Sequence, residues 1–150
     1  MKARIAAERH MDVPADAVYH CVADYREHHR PGGFLPPVFT DFEVLSGGVG
    51  AGTELRWAVE AGGRKRTIRA TITEPVPGRR LVEVAPDVVT TFSFEPTATG
   101  TLVRFDTVID DPGVQGVLTR LFAGRALRPI YADELRRLEE YARAHGEVAA

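Results

Sequence analysis

Two adjacent histidines, His28 and His29, are residues whose type could do chemistry. An imidazole titrates near neutrality and can move protons. Neighbours on a helix or strand point apart, so the pair cannot meet one substrate atom or one metal ion. They read as solvated loop residues, with at most one at a cavity mouth. A metal site lacks a third ligand at recognisable spacing, and His10, His20 and His145 read as surface.

Arg9 and Arg66 come next. Strand alternation sets both among apolar residues, where an unpaired charge is costly. The favoured expectation is pairing with a carboxylate such as Asp41 or Glu43, or snorkelling to water. The alternative is an arginine that projects inward to hold an enolate or carboxylate. Cys21 is the single cysteine, so no intramolecular disulfide can form, and beside Val18 and Val22 it reads as a buried inert thiol. The two serines, Ser46 and Ser93, lie outside any Gly-x-Ser-x-Gly pattern. Ser46 to Gly52 is rich in glycine but lacks the Gly-Lys-Ser/Thr ending and precedes a strand, so it is a turn rather than a phosphate loop.

The elements that must position these groups follow from periodicity. Ala3 to Val13 alternates as a strand, Pro14 ends it, and Val18, Tyr19, Val22 and Tyr25 recur at helical spacing over about Ala15 to Tyr25. Six strand-like segments follow: Val38 to Leu45, Thr53 to Glu60, Arg64 to Thr73, Arg80 to Ala85, Val89 to Glu95 and Thr101 to Ile109. Short Gly/Pro turns separate them, as hairpins require. A long helix is expected from about Val114 to the C-terminus, with a kink or break near Arg125 because of Pro129. On it Glu134, Arg136, Arg137, Glu139 and Glu140 are expected to face water. Seven strands with hairpin-length links exclude a doubly wound parallel sheet. The fold class is therefore α+β: a curved seven-stranded antiparallel sheet gripping a long C-terminal helix, with a short helix after the first strand. A hollow between sheet and helix would make a small-molecule site.

At 150 residues the chain reads as one domain spanning 1–150, and 44% hydrophobic and 27% charged residues suit a globular protein. The net charge of −2 and the splitting of Arg64, Lys65, Arg66 and Arg69 between two strand faces argue against nucleic acid. No apolar run reaches membrane-spanning or signal-peptide length, so the expectation is a cytoplasmic protein. No cofactor is expected, and either a monomer or a homodimer is compatible with exposed strand edges.

These features resemble the START-like helix-grip superfamily, in its polyketide cyclase/dehydrase (SRPBCC) branch. The resemblance rests on Met11-Asp12-Val13-Pro14-Ala15 leading to Val18-Tyr19, and on Ala23-Asp24-Tyr25. Gly47 to Gly52, Thr73 to Leu81 and Gly100-Thr101-Leu102-Val103 extend it over the whole chain. Arg26-Glu27-His28-His29-Arg30 departs from the family, whose members often carry an aromatic there. That implies either a charged ligand end or a wetter loop.

The resemblance implies a cavity for a hydrophobic or aromatic molecule, polyketide-like or lipid-like. Its expected wall is drawn from Phe42, Leu55, Trp57, Ile68, Phe92, Phe94, Phe105, Leu118, Phe122 and Tyr131. The second reading is a cyclase, aromatase or dehydratase, in which an arginine or tyrosine stabilises an enolate and a histidine or carboxylate shuttles a proton. Its candidates are Tyr25, His28, His29, Asp41 and Arg66. A protein-interaction module is the third, disfavoured by the mixed charges on the expected outer face.

Overall fold

The structure, a computed structural model, describes residues 2–61, 64–110 and 127–145. Strand β1 (Lys2–Met11) and helix α1 (Ala15–Ala23) come first. The strands β2 (Phe39–Ser46), β3 (Glu54–Ala61), β4 (Arg64–Val76), β5 (Arg80–Val84), β6 (Val88–Pro96) and β7 (Thr101–Asp110) follow, and then helix α2 (Leu127–His145). They form one antiparallel sheet in the order β1-β7-β6-β5-β4-β3-β2. From β2 to β7 each strand pairs with the next in sequence. β1 instead lies against β7, with Ile5 opposite Thr107 and Met11 opposite Thr101. The stretch 111–126, with the expected break near Arg125, lies outside the described residues, and Pro129 falls in the first described turn of α2.

Helix α1 begins where the sequence places it, after Pro14, whose backbone is still extended. Val18, Cys21 and Val22 are buried beneath it. Helix α2 packs a stripe of Tyr131, Leu135, Leu138 and Ala142 into the same core as Ile5, Met11, Leu81, Phe94 and Phe105. Spacing of three to four residues keeps this stripe on one helical face.

Two expectations about α2 need correction. Glu134 and Glu139 do not face water; they are 3% and 6% exposed. Glu139 is pinned by β1: Arg9 donates to it at 2.8 Å and the Asp12 backbone N–H at 3.0 Å, while Arg143 reaches it along the helix at 3.0 Å. Burial alone would raise this carboxyl, but those donors outweigh it and hold it below the ordinary value. Arg9 thus pairs, though with neither Asp41 nor Glu43. Arg66 bonds Asp87 at 2.8 Å, Asp41 pairs with Lys65, and Glu43 with Arg56. Partner choice follows sheet register and helix docking, which alternation within one strand cannot reveal.

Strand β2 contains the irregularity that matters most for the site. Thr40 pairs with Ala58 and Glu43 with Arg56, so β2 spends three residues where β3 spends two. The extra residue makes a β-bulge, and Asp41 within it has φ 50°. Strict alternation would send Phe39 and Phe42 to opposite faces; the bulge lets both face inward. A β-branched residue is strained at positive φ, whereas glycine is not. Asp41→Val should therefore lower unfolding free energy by about 1–2 kcal/mol relative to Asp41→Gly. Both variants lose the Lys65 pair, so the difference in urea denaturation isolates the backbone.

Candidate ligand-binding site

Between the inner face of the sheet and α2 lies a pocket of about 80 Å³. That is several times the roughly 10–15 Å³ one water needs. Phe39 and Phe42 of β2, Leu55, Trp57 and Val59 of β3 and Ile68 of β4 make an apolar wall, extended by Val88, Phe92 and Ile109. The polar lining comes from Tyr25, His29, Glu83, Thr90, Thr107, Tyr131 and Glu134.

Of the aromatic and aliphatic candidates, Phe42, Leu55, Trp57, Ile68, Phe92 and Tyr131 line this space. Phe94 and Phe105 are buried in the core behind it; Phe105 meets Phe92 and Tyr131 edge to face at 4.7 and 5.9 Å. Leu118 and Phe122 lie outside the described residues. Of the polar candidates, Tyr25 and His29 line the pocket, whereas His28, Asp41 and Arg66 are not in its lining. His28 turns to Tyr141, whose hydroxyl lies 2.7 Å from Nδ1.

His29 is the clearest departure from a solvated loop. It is 3% exposed and stacks between Tyr25 and Phe34, with ring centroids 4.5 and 4.7 Å away. Its Nδ1 sits 2.8 Å from the Val22 carbonyl, which can only accept, so Nδ1 carries the proton and Nε2 the lone pair. Burial lowers its pKa to about 4 against that bond, and the ring is neutral at pH 7.

Sequence reasoning missed Glu83 and Glu134, and both left a signal. Glu83 shares a strand face with buried Leu81, and Glu134 lies three residues after Tyr131 and one before Leu135. The Tyr25 hydroxyl donates to Glu83 Oε2 at 2.7 Å. Burial nevertheless pushes the Glu83 carboxyl up to about 7, with that bond opposing the rise. Glu134 is raised well above the ordinary value, first by burial and then by repulsion from Glu83. Two carboxyls that repel in a low-dielectric space share protons rather than both ionising. Tyr25 is likewise raised, by burial and then by Glu83. Tyr131 bonds Thr107, whose hydroxyl is 2.8 Å from that of Thr90. A protonated carboxyl, a phenol and an imidazole acceptor thus lie against an apolar wall, able to exchange protons with a bound molecule.

The chain's local structure fixes Tyr25 in place. Its N–H donates to Gly48 O at 2.8 Å, and Gly50 N–H donates to Ala23 O at 2.9 Å, so the glycine-rich turn docks on the end of α1. Gly50 has φ 67°, and a side chain there would run into the Glu74 carboxylate. That carboxylate holds the turn through Ala51 N–H at 2.6 Å and holds α1 through the Tyr19 hydroxyl at 2.5 Å. The turn is a clamp for the residue that reaches Glu83.

Residues 2–143 match the family described as polyketide cyclase / dehydrase and lipid transport, and the chain belongs to it. Hydrophobic-ligand binding or polyketide processing is thereby the general sphere of the protein. Among solved structures the chain is similar to KanY, at 26% identity and TM-score 0.82, over 95% of this chain and 99% of that one. It is also similar to TTHA0849 from Thermus thermophilus, at 25% identity and TM-score 0.72, over 94% and 97% of the two chains. A third likeness, of fold alone at 14% identity and TM-score 0.73, is to the di-domain aromatase/cyclase StfQ of the steffimycin biosynthetic pathway. It covers 98% of this chain and 52% of that one. No curated protein matches the sequence significantly. No helix among the described residues is long and apolar enough to cross a membrane.

The raised carboxyl has a consequence for stability. An unfolded Glu83 ionises near its ordinary 4.5, while the folded one keeps its proton to about 7. Between those values the folded state holds more protons, so stability falls as pH rises and levels off above the folded value. Glu83→Gln keeps an acceptor for Tyr25 and removes the ionisation. It should raise Tm at pH 8 by several degrees, on the order of 2 kcal/mol, with little effect at pH 4, as read by thermal melts.

Proposed function

We propose that the pocket binds a compact aromatic or polyketide-like molecule bearing a carbonyl, enol or phenol group. The observation carrying this reading is the lining itself: an apolar wall on β2 to β4 beside Glu83, Tyr25, His29 and Glu134. The apolar part of a ligand would gain about 25 cal/mol per Å² removed from water, and the polar lining would fix its orientation. A protonated Glu83 can donate to a carbonyl, and His29 Nε2 can accept from a hydroxyl. Membership in the family supports the same ligand class.

Trp57 is the chain's single tryptophan and lines the pocket, so its fluorescence reports occupancy. A naphthol-sized probe should quench it saturably at one equivalent. Val88→Phe, which fills the space, should weaken binding about tenfold while leaving the circular dichroism spectrum unchanged. Absence of saturable quenching, or equal affinity in the filled variant, would sink the reading.

One observation favours a second reading, that of a cyclase, aromatase or dehydratase acting on a β-keto chain. Tyr25 and Glu83 are bonded to each other, and neutral His29 lies stacked on Tyr25. In that reaction His29 Nε2 would take a proton from the carbon between two carbonyls. Protonated Glu83, itself accepting from the Tyr25 hydroxyl, would hydrogen-bond the enolate oxygen as charge develops. With a β-keto thioester as substrate, Glu83→Gln should lower kcat by about 10²–10⁴ and change KM little. No turnover by the unaltered protein, with binding intact, would leave the carrier reading standing alone.

A further inference from the structure

We propose that His20, Asp24 and His28, none of which lines the pocket, form a binding site for a divalent transition-metal ion of the zinc type. Their ligating atoms lie within 4.8 Å of one another, the one such grouping among the described residues. The sequence spacing, with three residues between successive members, explains how they meet. Asp24 N–H donates to His20 O at 3.1 Å and closes the last turn of α1, and His28 N–H donates to Asp24 O at 3.1 Å across the turn that follows, beyond the extended backbone of Asp24. The end of α1 and this turn together bring the three side chains to one place. An ion bonded to nitrogen and oxygen at about 2.0–2.1 Å needs donors somewhat over 3 Å apart, which small side-chain rotations supply.

Two of the three groups are already oriented by neighbours. The Tyr141 hydroxyl donates to the Glu27 carbonyl at 3.3 Å and lies 2.7 Å from His28 Nδ1. With that proton on the carbonyl, His28 Nδ1–H donates to the Tyr141 oxygen and the Nε2 lone pair is presented, the tautomer that a metal ion at Nε2 would select. A hydrogen bond on the remote nitrogen is how metal-bound imidazoles are generally held. Asp24 Oδ1 accepts the N–H groups of Arg26 and Glu27, each at 3.0 Å, which leaves Oδ2 for a ligand. Two imidazoles and one carboxylate suit zinc, cobalt or nickel, whereas calcium and magnesium prefer oxygen alone.

A further imidazole is close. His145 donates from Nδ1 to the Tyr141 carbonyl at 2.9 Å, stacks on the Tyr141 ring at 3.9 Å and lies 6.0 Å from His28 between ring centroids. Tyr141 and His145 belong to α2, so an ion at this point would tie α1, the loop and the terminal helix together. Asp24 and His28 are also the chain neighbours of Tyr25 and His29. Metal binding would fix the segment that presents those two side chains to the pocket.

The test uses the full chain free of any histidine tag. Titration with Co²⁺ should give visible ligand-field bands that saturate at one equivalent and are displaced by Zn²⁺. His20→Gln and His28→Gln should each weaken binding at least about tenfold, and Tyr141→Phe by a smaller factor, since it removes only the orienting bond. His10→Gln should change nothing. If His28→Gln fails to fold by circular dichroism, His20→Gln, on a partly exposed face of α1, decides alone. Lack of bands at stoichiometric cobalt, or glutamine variants that bind as tightly as the unaltered chain, would overturn the proposal.

Discussion

The docking of α2 on the sheet is the interaction on which the rest of the molecule depends. Its stripe of Tyr131, Leu135, Leu138 and Ala142 closes the core, and the same helical face carries Glu134 into the pocket. Glu139 fastens the helix to β1 through Arg9 and the Asp12 amide. Removing Arg9 would leave a buried carboxylate short of a partner, which costs more than losing an exposed ion pair such as Arg56 with Glu43. The helix is therefore located by apolar packing and held in register by one charged contact.

The two buried glutamates of α2 illustrate how one residue type serves opposite ends. Glu139 meets donors on three sides and stays ionised. Glu134 meets apolar side chains and another carboxyl, and holds its proton. Low polarity around a charge raises its free energy whether or not a partner is present; what differs is whether hydrogen-bond donors make up the loss. The pocket is the place where they do not. That makes it a region of unspent hydrogen-bonding and acid–base capacity.

The segment from Asp24 to His29 has two working faces. Tyr25 and His29 turn toward the pocket and stack on each other, while Asp24 and His28 join His20 on the other side. Adjacent histidines pointing apart is the geometric rule expected for any regular backbone. It separates the pair, but each then finds different company. The glycine-rich turn, docked by backbone hydrogen bonds, keeps the two faces distinct.

Much of the fold was legible from residue pattern because alternation and turn chemistry are local. The seven strands and α1 begin and end within a few residues of the expected limits, and the family follows from the order of the motifs. The site was legible only in part. Six of the expected wall residues, with Tyr25 and His29, face the pocket, while Asp41 and Arg66 turn to Lys65 and Asp87. An extra residue in β2 between Thr40 and Glu43 brings Phe42 to the same face as Phe39, and nothing in the hydrophobic pattern announces the bulge. Glu83, Glu134 and the grouping of His20, Asp24 and His28 arise between elements remote in sequence or beyond a helix end. The sequence by itself determined which segments are strands and helices and which faces are apolar. Only the tertiary structure decided which polar groups share a dry space, because a group's charge state depends on neighbours that chain folding, rather than chain order, brings near.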